Sequence, residues 1–118
     1  MERPWRDRHR FLSVLTLWWS VGRAACSLDR IRIFHEQLEL GKKVFLEQAQ
    51  PSCTVCHTLN DAGSAGEIGP NLDQLKPSAE QVSNAVKSGV GIMPAFGDSL
   101  SEQQISAVAK YIESVTRK

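Results

Sequence analysis

Apolar positions change their spacing several times along the chain, and each change marks an element. Phe11 to Gly22, FLSVLTLWWSVG, is apolar almost without interruption. From Leu38 to Gln48, in LELGKKVFLEQ, the positions Leu38, Gly41, Val44, Phe45 and Leu46 recur at helical spacing, and Pro51 ends the run, so a first helix is expected there. Between these two stretches, SLDRIRIFHEQ (Ser27 to Gln37) alternates at Ile31 and Ile33, which suits a strand or a helical extension equally. Residues 60–77, NDAGSAGEIGPNLDQLKP, are rich in Gly, Pro, Asn and Asp and read as a long loop. A long loop in a small domain is usually functional.

Two further helices are expected beyond it. In SAEQVSNAVKSG, Ser78 and Gln81 form a capping box, Val82, Ala85 and Val86 share a face, and Gly89 stops the helix. After a loop over residues 90–98, Ser101 and Gln104 form a second capping box, with Leu100 and Ile105 placed as a hydrophobic staple. Ile105, Val108, Ala109, Ile112 and Val115 then make a buried stripe. Tyr111 can lean on the first helix, where Gly41 lets two backbones approach and Phe45 fills beside it. No strand-helix-strand alternation occurs, and the fold class is all-α.

Composition places these elements in one small domain. At 118 residues and 42% hydrophobic, the chain is an ordinary globular protein. Its net charge of +1 hides an asymmetry: residues 1–25 carry a net +3 and residues 26–118 a net −2. The cationic start MERPWRDRHR followed by the apolar run reads as a secretory signal over residues 1–25, with an uncleaved anchor as the alternative. The run is shorter than the ~20 residues a spanning helix needs. A periplasmic or lumenal protein, soluble after cleavage, is expected. About 93 residues would then remain, burying only roughly 60–65% of their unfolded surface, so such a domain needs a staple. Three cysteines, one of them Cys26 at the leader boundary, make a poor disulfide framework, whereas a large apolar cofactor could serve as core.

The other two cysteines lie in CTVCHTL, from Cys53 to Leu59. A redox dithiol of the thioredoxin type would follow a buried strand in a βα chain, which is missing, and would leave His57 idle. A structural zinc site needs four ligands, and only Cys26 and His35 could complete the set, from a segment without ligand spacing. Covalent haem attachment uses every member: two thiols three residues apart form thioethers, and His57 is held beneath the iron as proximal ligand.

A second axial ligand separates a carrier from a sensor or catalyst. Apart from Met1 the chain has one methionine, Met93, in a Gly-rich loop before Pro94 and 36 residues after His57. A soft thioether favours ferrous iron and raises the potential. In GPNL, the carbonyl of Pro70 is a candidate acceptor for the second N–H of His57, because a proline offers a rigid backbone and no donor of its own. His35 reads as a surface or packing residue that a bis-histidine site would recruit. Lys42, Lys43, Lys76, Lys87 and Lys110 read as solvated faces. No acid-base constellation points to hydrolysis or group transfer, and no nucleic-acid partner is expected.

The motifs CTVCH, IGPNL, GIMPAF and LSEQQISAVAKYIESV, in that order, resemble those of class I c-type cytochromes, over about residues 38–116. The resemblance implies a cytochrome c fold, three to four helices around one covalently attached haem c, in a domain spanning residues 38–118. Cys53 and Cys56 would attach the haem, and His57 and Met93 would ligate its iron. Pro70, Asn71, Leu72, Ile92 and Phe96 would line the pocket. It implies a one-electron carrier between redox proteins such as a dehydrogenase, an oxidase or a photosynthetic complex. The alternatives are an electron-accepting subunit of a dehydrogenase, or a peroxidase-like or sensing protein with a labile Met93. Cys26 and the extension over residues 26–37 lie outside the family core.

Overall fold

The computed structural model describes the backbone of residues 12–118 and the side chains of residues 27–118. Helix α1 runs from Leu12 to Lys43 and widens into a π-helical turn over Val44–Gln48. The expected end at Gln48 therefore stands, while the start lies well upstream of Leu38. Ser27 to Gln37 is helix rather than strand. The leader reading falls on residues 1–25, of which residues 1–11 lie outside the described residues. Among the described residues, no helix is long and apolar enough to cross a membrane.

The chain divides into two units, Met1–Phe34 and His35–Lys118. In the first unit α1 exposes Leu28, Ile31, Ile33 and Phe34. Apolar side chains that stay exposed on several sides write no one-sided stripe, which is why the pattern there fits strand and helix alike.

The second unit holds the site. The segment between Cys53 and Pro77, expected as loop over residues 60–77, contains several short elements. A 3₁₀ turn covers Cys53–Val55, a hairpin pairs β1 (Thr58–Leu59) with β2 (Ser64–Ala65), and α2 spans Leu72–Leu75. The hairpin is antiparallel, with Thr58 opposite Ala65 and Leu59 opposite Ser64. A chain expected to be helical throughout thus carries a small sheet. Helices α3 (Ala79–Ser88) and α4 (Glu102–Thr116) follow, and both capping boxes form as expected. Gln104 also donates to Gln48 at 3.0 Å, joining the start of α4 to the π turn. Each cap of this kind is worth about 1 kcal/mol.

The core gathers Phe45 and Val44 from the π turn, Leu59 from β1, and Ile105 and Val108 from α4, all fully buried. Burying each such side chain contributes roughly 1.5–3 kcal/mol. Leu100 and Ile105, the expected staple, are both part of this core. The end of α1 reaches α4 through Gly41, where an added Cβ would overlap the Ala107 carbonyl oxygen and stand 2.5 Å from Tyr111 Cβ. The ring of Phe45 meets that of Tyr111 edge-on, with centroids 6.4 Å apart.

A polar tie sits beside this crossing. Tyr111 donates its hydroxyl to Asp61 at 2.6 Å, and Lys42 approaches the same carboxylate at 3.6 Å. The Tyr111 bond lowers the pKa of Asp61 from its ordinary value, partial burial opposes this, and Lys42 adds to the lowering. The Tyr111 hydroxyl is held protonated, first by burial and then by Asp61. Lys42 is therefore an ion-pair partner and not only a solvated lysine. Lys87 is another, with Glu102 at 2.7 Å.

Two outcomes follow from this packing. Gly41→Ala should destabilise the haem-loaded protein by about 1–3 kcal/mol despite the better helix propensity of alanine, because both obstacles are backbone or Cβ atoms that cannot swing away. A shift of the urea midpoint checks it. A carboxylate whose folded pKa is depressed contributes stability above its unfolded pKa, near 3.8, and loses it as pH falls through the lower folded value. Asp61→Asn should therefore lower the urea midpoint at pH 7, with the gap to the parent protein narrowing as pH falls below about 4.

Candidate functional site

Ser52 prepares the attachment turn. Its hydroxyl oxygen accepts from the Thr54 N–H at 3.3 Å and lies within reach of the Phe45 and Leu46 carbonyls, at 3.1 and 3.0 Å, so the turn is fastened to the end of the π turn. The His57 N–H then donates to the Cys53 carbonyl at 3.0 Å. One turn of backbone thereby carries Cys53, Cys56 and His57. Both cysteines are free thiols. Burial pushes the Cys53 thiol up to about 11. A dithiol oxidoreductase needs the opposite shift, because the thiolate is its nucleophile.

The imidazole of His57 is fixed from behind. Its Nδ1 lies 2.8 Å from the Pro70 carbonyl oxygen. A carbonyl only accepts, so Nδ1 carries the proton and Nε2 keeps a free lone pair. Gly69 permits this contact. An added Cβ there would stand 2.7 Å from Cε1 and 2.9 Å from Nδ1 of the ring, while the Gly69 N–H donates to the Cys56 carbonyl at 2.7 Å. Asn71 caps α2 by accepting from the Asp73 and Gln74 N–H groups, and Asp73 accepts in turn from the Asn60 N–H at 2.8 Å. The loop that supports His57 is thus pinned to the hairpin.

Met93 arrives from the other loop. Its N–H donates to the Val90 carbonyl at 2.9 Å, and the Val90 N–H returns a bond to Met93 at 3.2 Å. The Phe96 N–H donates to the Val86 carbonyl at 2.7 Å, which anchors this loop on α3.

Cys53, Cys56, His57, Pro70, Leu72, Ile92 and Met93 all line one cavity of about 510 Å³. Two expected pocket residues do not. Asn71 is spent on capping α2, and Phe96 is buried in the core beside α3. Val82, Val86, Val108 and Ile112 are wall residues that the sequence pattern does not reveal, because a stripe buried against a cavity has the same period as one buried against a helix. Ile68 and Leu75 complete the rim and stay largely exposed, as does Ile92 at 85%. His35 is exposed on α1 and stands off this wall, and the Cys26 side chain lies outside the described residues.

The residues present fit a haem. The volume falls in the ~300–1,000 Å³ range of ligand sites. The wall holds no Asp, Glu, Lys or Arg, two unpaired thiols share it, and one imidazole on it has its far nitrogen already engaged. A Cys-x-x-Cys-His turn opening on such a cavity, in a fold of this kind, defines a c-type cytochrome.

Comparison with known proteins agrees. Residues 36–112 match the family described as cytochrome c oxidase, cbb3-type, subunit III. Cytochrome c6 of Gracilaria tenuistipitata var. liui is 30% identical over 83 residues, which is 67% of this chain and 73% of that protein. The chloroplastic cytochrome c6 of Chlamydomonas reinhardtii is 33% identical over 85 residues, 64% of this chain and 52% of the relative's length. Among solved structures, the c-type cytochrome SorU from Sinorhizobium meliloti superposes with a TM-score of 0.68 at 50% identity, covering 71% of this chain and 95% of SorU. The chain belongs to the class I c-type cytochromes, whose haem c is bound covalently, and Cys53 and Cys56 are consistent with the Cys-x-x-Cys-His motif of that family. At the level of the family it is an electron carrier.

Gly69→Ala should push on the His57 ring and weaken its bond to Pro70. Expected are a lower yield of covalently loaded protein, read by the pyridine haemochrome spectrum, and a loss of about 1–3 kcal/mol in stability.

Proposed function

We propose that this chain carries single electrons on a haem whose iron is ligated by His57 and Met93, in an exported compartment, between a redox donor and a redox acceptor. The observation that carries the reading is the His57 Nδ1 to Pro70 bond of 2.8 Å, on a cavity wall that also includes Met93. It leaves Nε2 as the nitrogen available to a metal. When bound, the haem supplies a ferrous/ferric couple.

The protein's residues do the rest. Pro70 withdraws the Nδ1 proton's freedom, which fixes the tautomer and makes the imidazole a stronger donor. Met93 offers a polarisable sulfur from a turn closed by two hydrogen bonds, and a thioether favours the reduced metal. The apolar wall excludes water and disfavours the extra charge of the oxidised state, which also raises the potential. His57 and Met93 would hold the group between them, and with both as ligands it would have no open position for a substrate. The exported location is supported by the cationic and apolar start of the sequence and by the chloroplastic relative.

Replacing Met93 by alanine in haem-loaded protein tests the ligand set. The near-red sulfur-to-iron band of the oxidised protein should vanish, and carbon monoxide should bind the reduced variant on mixing while leaving the parent protein untouched. Persistence of the band in the variant, or immediate carbon monoxide binding by the parent, refutes the reading.

A further inference from the structure

The hairpin and the loop after it do more than return the chain. Three carbonyls of the attachment turn lie within hydrogen-bond reach of two donors from residues 64–69. The Cys56 carbonyl takes the Gly69 N–H at 2.7 Å, and the hydroxyl of Ser64 lies within reach of both the His57 and the Thr54 carbonyls, the latter at 3.2 Å. A serine hydroxyl has one proton to donate. The closer oxygen is that of His57, so His57 is the principal acceptor. Ser64 is 7% exposed, on β2 opposite the fully buried Leu59, so water does not substitute for this bond.

His57 is therefore bracketed by one short segment. Ser64 holds its backbone carbonyl and Pro70 holds its ring nitrogen. The angle of an imidazole depends on both the backbone that carries it and the acceptor it faces. Fixing only one would leave the ring free to rock about the other. An electron carrier needs a ligand that stands in the same place before and after transfer, since any movement adds to the reorganisation required.

We propose that Ser64 is a positioning residue for the proximal ligand, acting through the His57 carbonyl to keep the ring square to the Pro70 acceptor. The proposal rests on His57 being an axial ligand. Without the Ser64 hydroxyl, the Nδ1–H bond to Pro70 loosens and the imidazole becomes a weaker donor. The oxidised state is then less stabilised and the reduction potential rises.

The test uses the full haem-loaded chain and the pair Ser64→Val and Ser64→Thr, which have one shape and differ by the hydroxyl. It also uses Thr58→Val, which removes the hairpin bond from Thr58 Oγ1 to the Gly66 carbonyl, 2.9 Å long, without touching the His57 carbonyl. Three quantities are read: reduction potential, deuterium exchange of the His57 Nδ1–H by NMR, and electron self-exchange rate. Expected for Ser64→Val relative to Ser64→Thr are a higher potential, several-fold faster Nδ1–H exchange and several-fold slower self-exchange. Ser64→Thr and Thr58→Val should stay at the parent values. Equal values for the Val and Thr variants at position 64 overturn the proposal, as does a Thr58→Val variant that moves the same quantities as far. A parent protein without an imidazole signature on its iron defeats the ligand reading itself, and the positioning role with it. A parent with that signature and unresponsive Ser64 variants defeats the positioning role alone.

Discussion

The bond between the His57 ring and the Pro70 carbonyl is the constraint around which the site is organised. It decides which nitrogen of the imidazole keeps a lone pair and which way that lone pair faces. Several other features exist to make it possible. Gly69 has no side chain because the ring occupies that space, Pro70 presents an acceptor on a stiff backbone, and Asn71 ends the turn by capping α2. The hairpin and α2 are linked through Asp73 and the Asn60 N–H, so the acceptor cannot drift from the donor.

Polar and apolar roles are divided cleanly. Hydrogen bonds to Ser52 and from Ser64 and Gly69 hold the backbone of the attachment turn, while aliphatic side chains of α3 and α4 form the wall it opens on. The division follows from energetics. A hydrogen bond specifies direction but has a small net worth in stability, whereas apolar burial is non-directional and large. The turn needs direction because it must present thiols and an imidazole together. The wall needs only shape and the exclusion of water.

Much of this was legible in the sequence, for reasons that particular residues make plain. The capping boxes at Ser78 and Ser101 could be read because both partners lie within one turn of each other. The Pro70 acceptor could be read because proline narrows the choices, and the meeting of Gly41 with Tyr111 because a missing side chain in a helix needs a neighbour. What could not be read lacked a local period. Two-residue strands and a four-residue helix are too short to repeat, and the exposed apolar residues of α1 mark no single face. Asn71 and Phe96, expected in the wall, are not among the residues that line the cavity, since proximity to a motif along the chain says nothing about which way a side chain turns. Val82, Val86, Val108 and Ile112 were read as buried but not as wall, since burial alone does not name what lies on the other side.

That last group bears on how the protein is made. Residues that would normally complete a hydrophobic core instead face a cavity of about 510 Å³, so the polypeptide contains only part of its own interior. In a family whose haem c is bound covalently, the rest of that interior would be supplied by a group bonded to the chain, so that completing the core and attaching the cofactor would be one event.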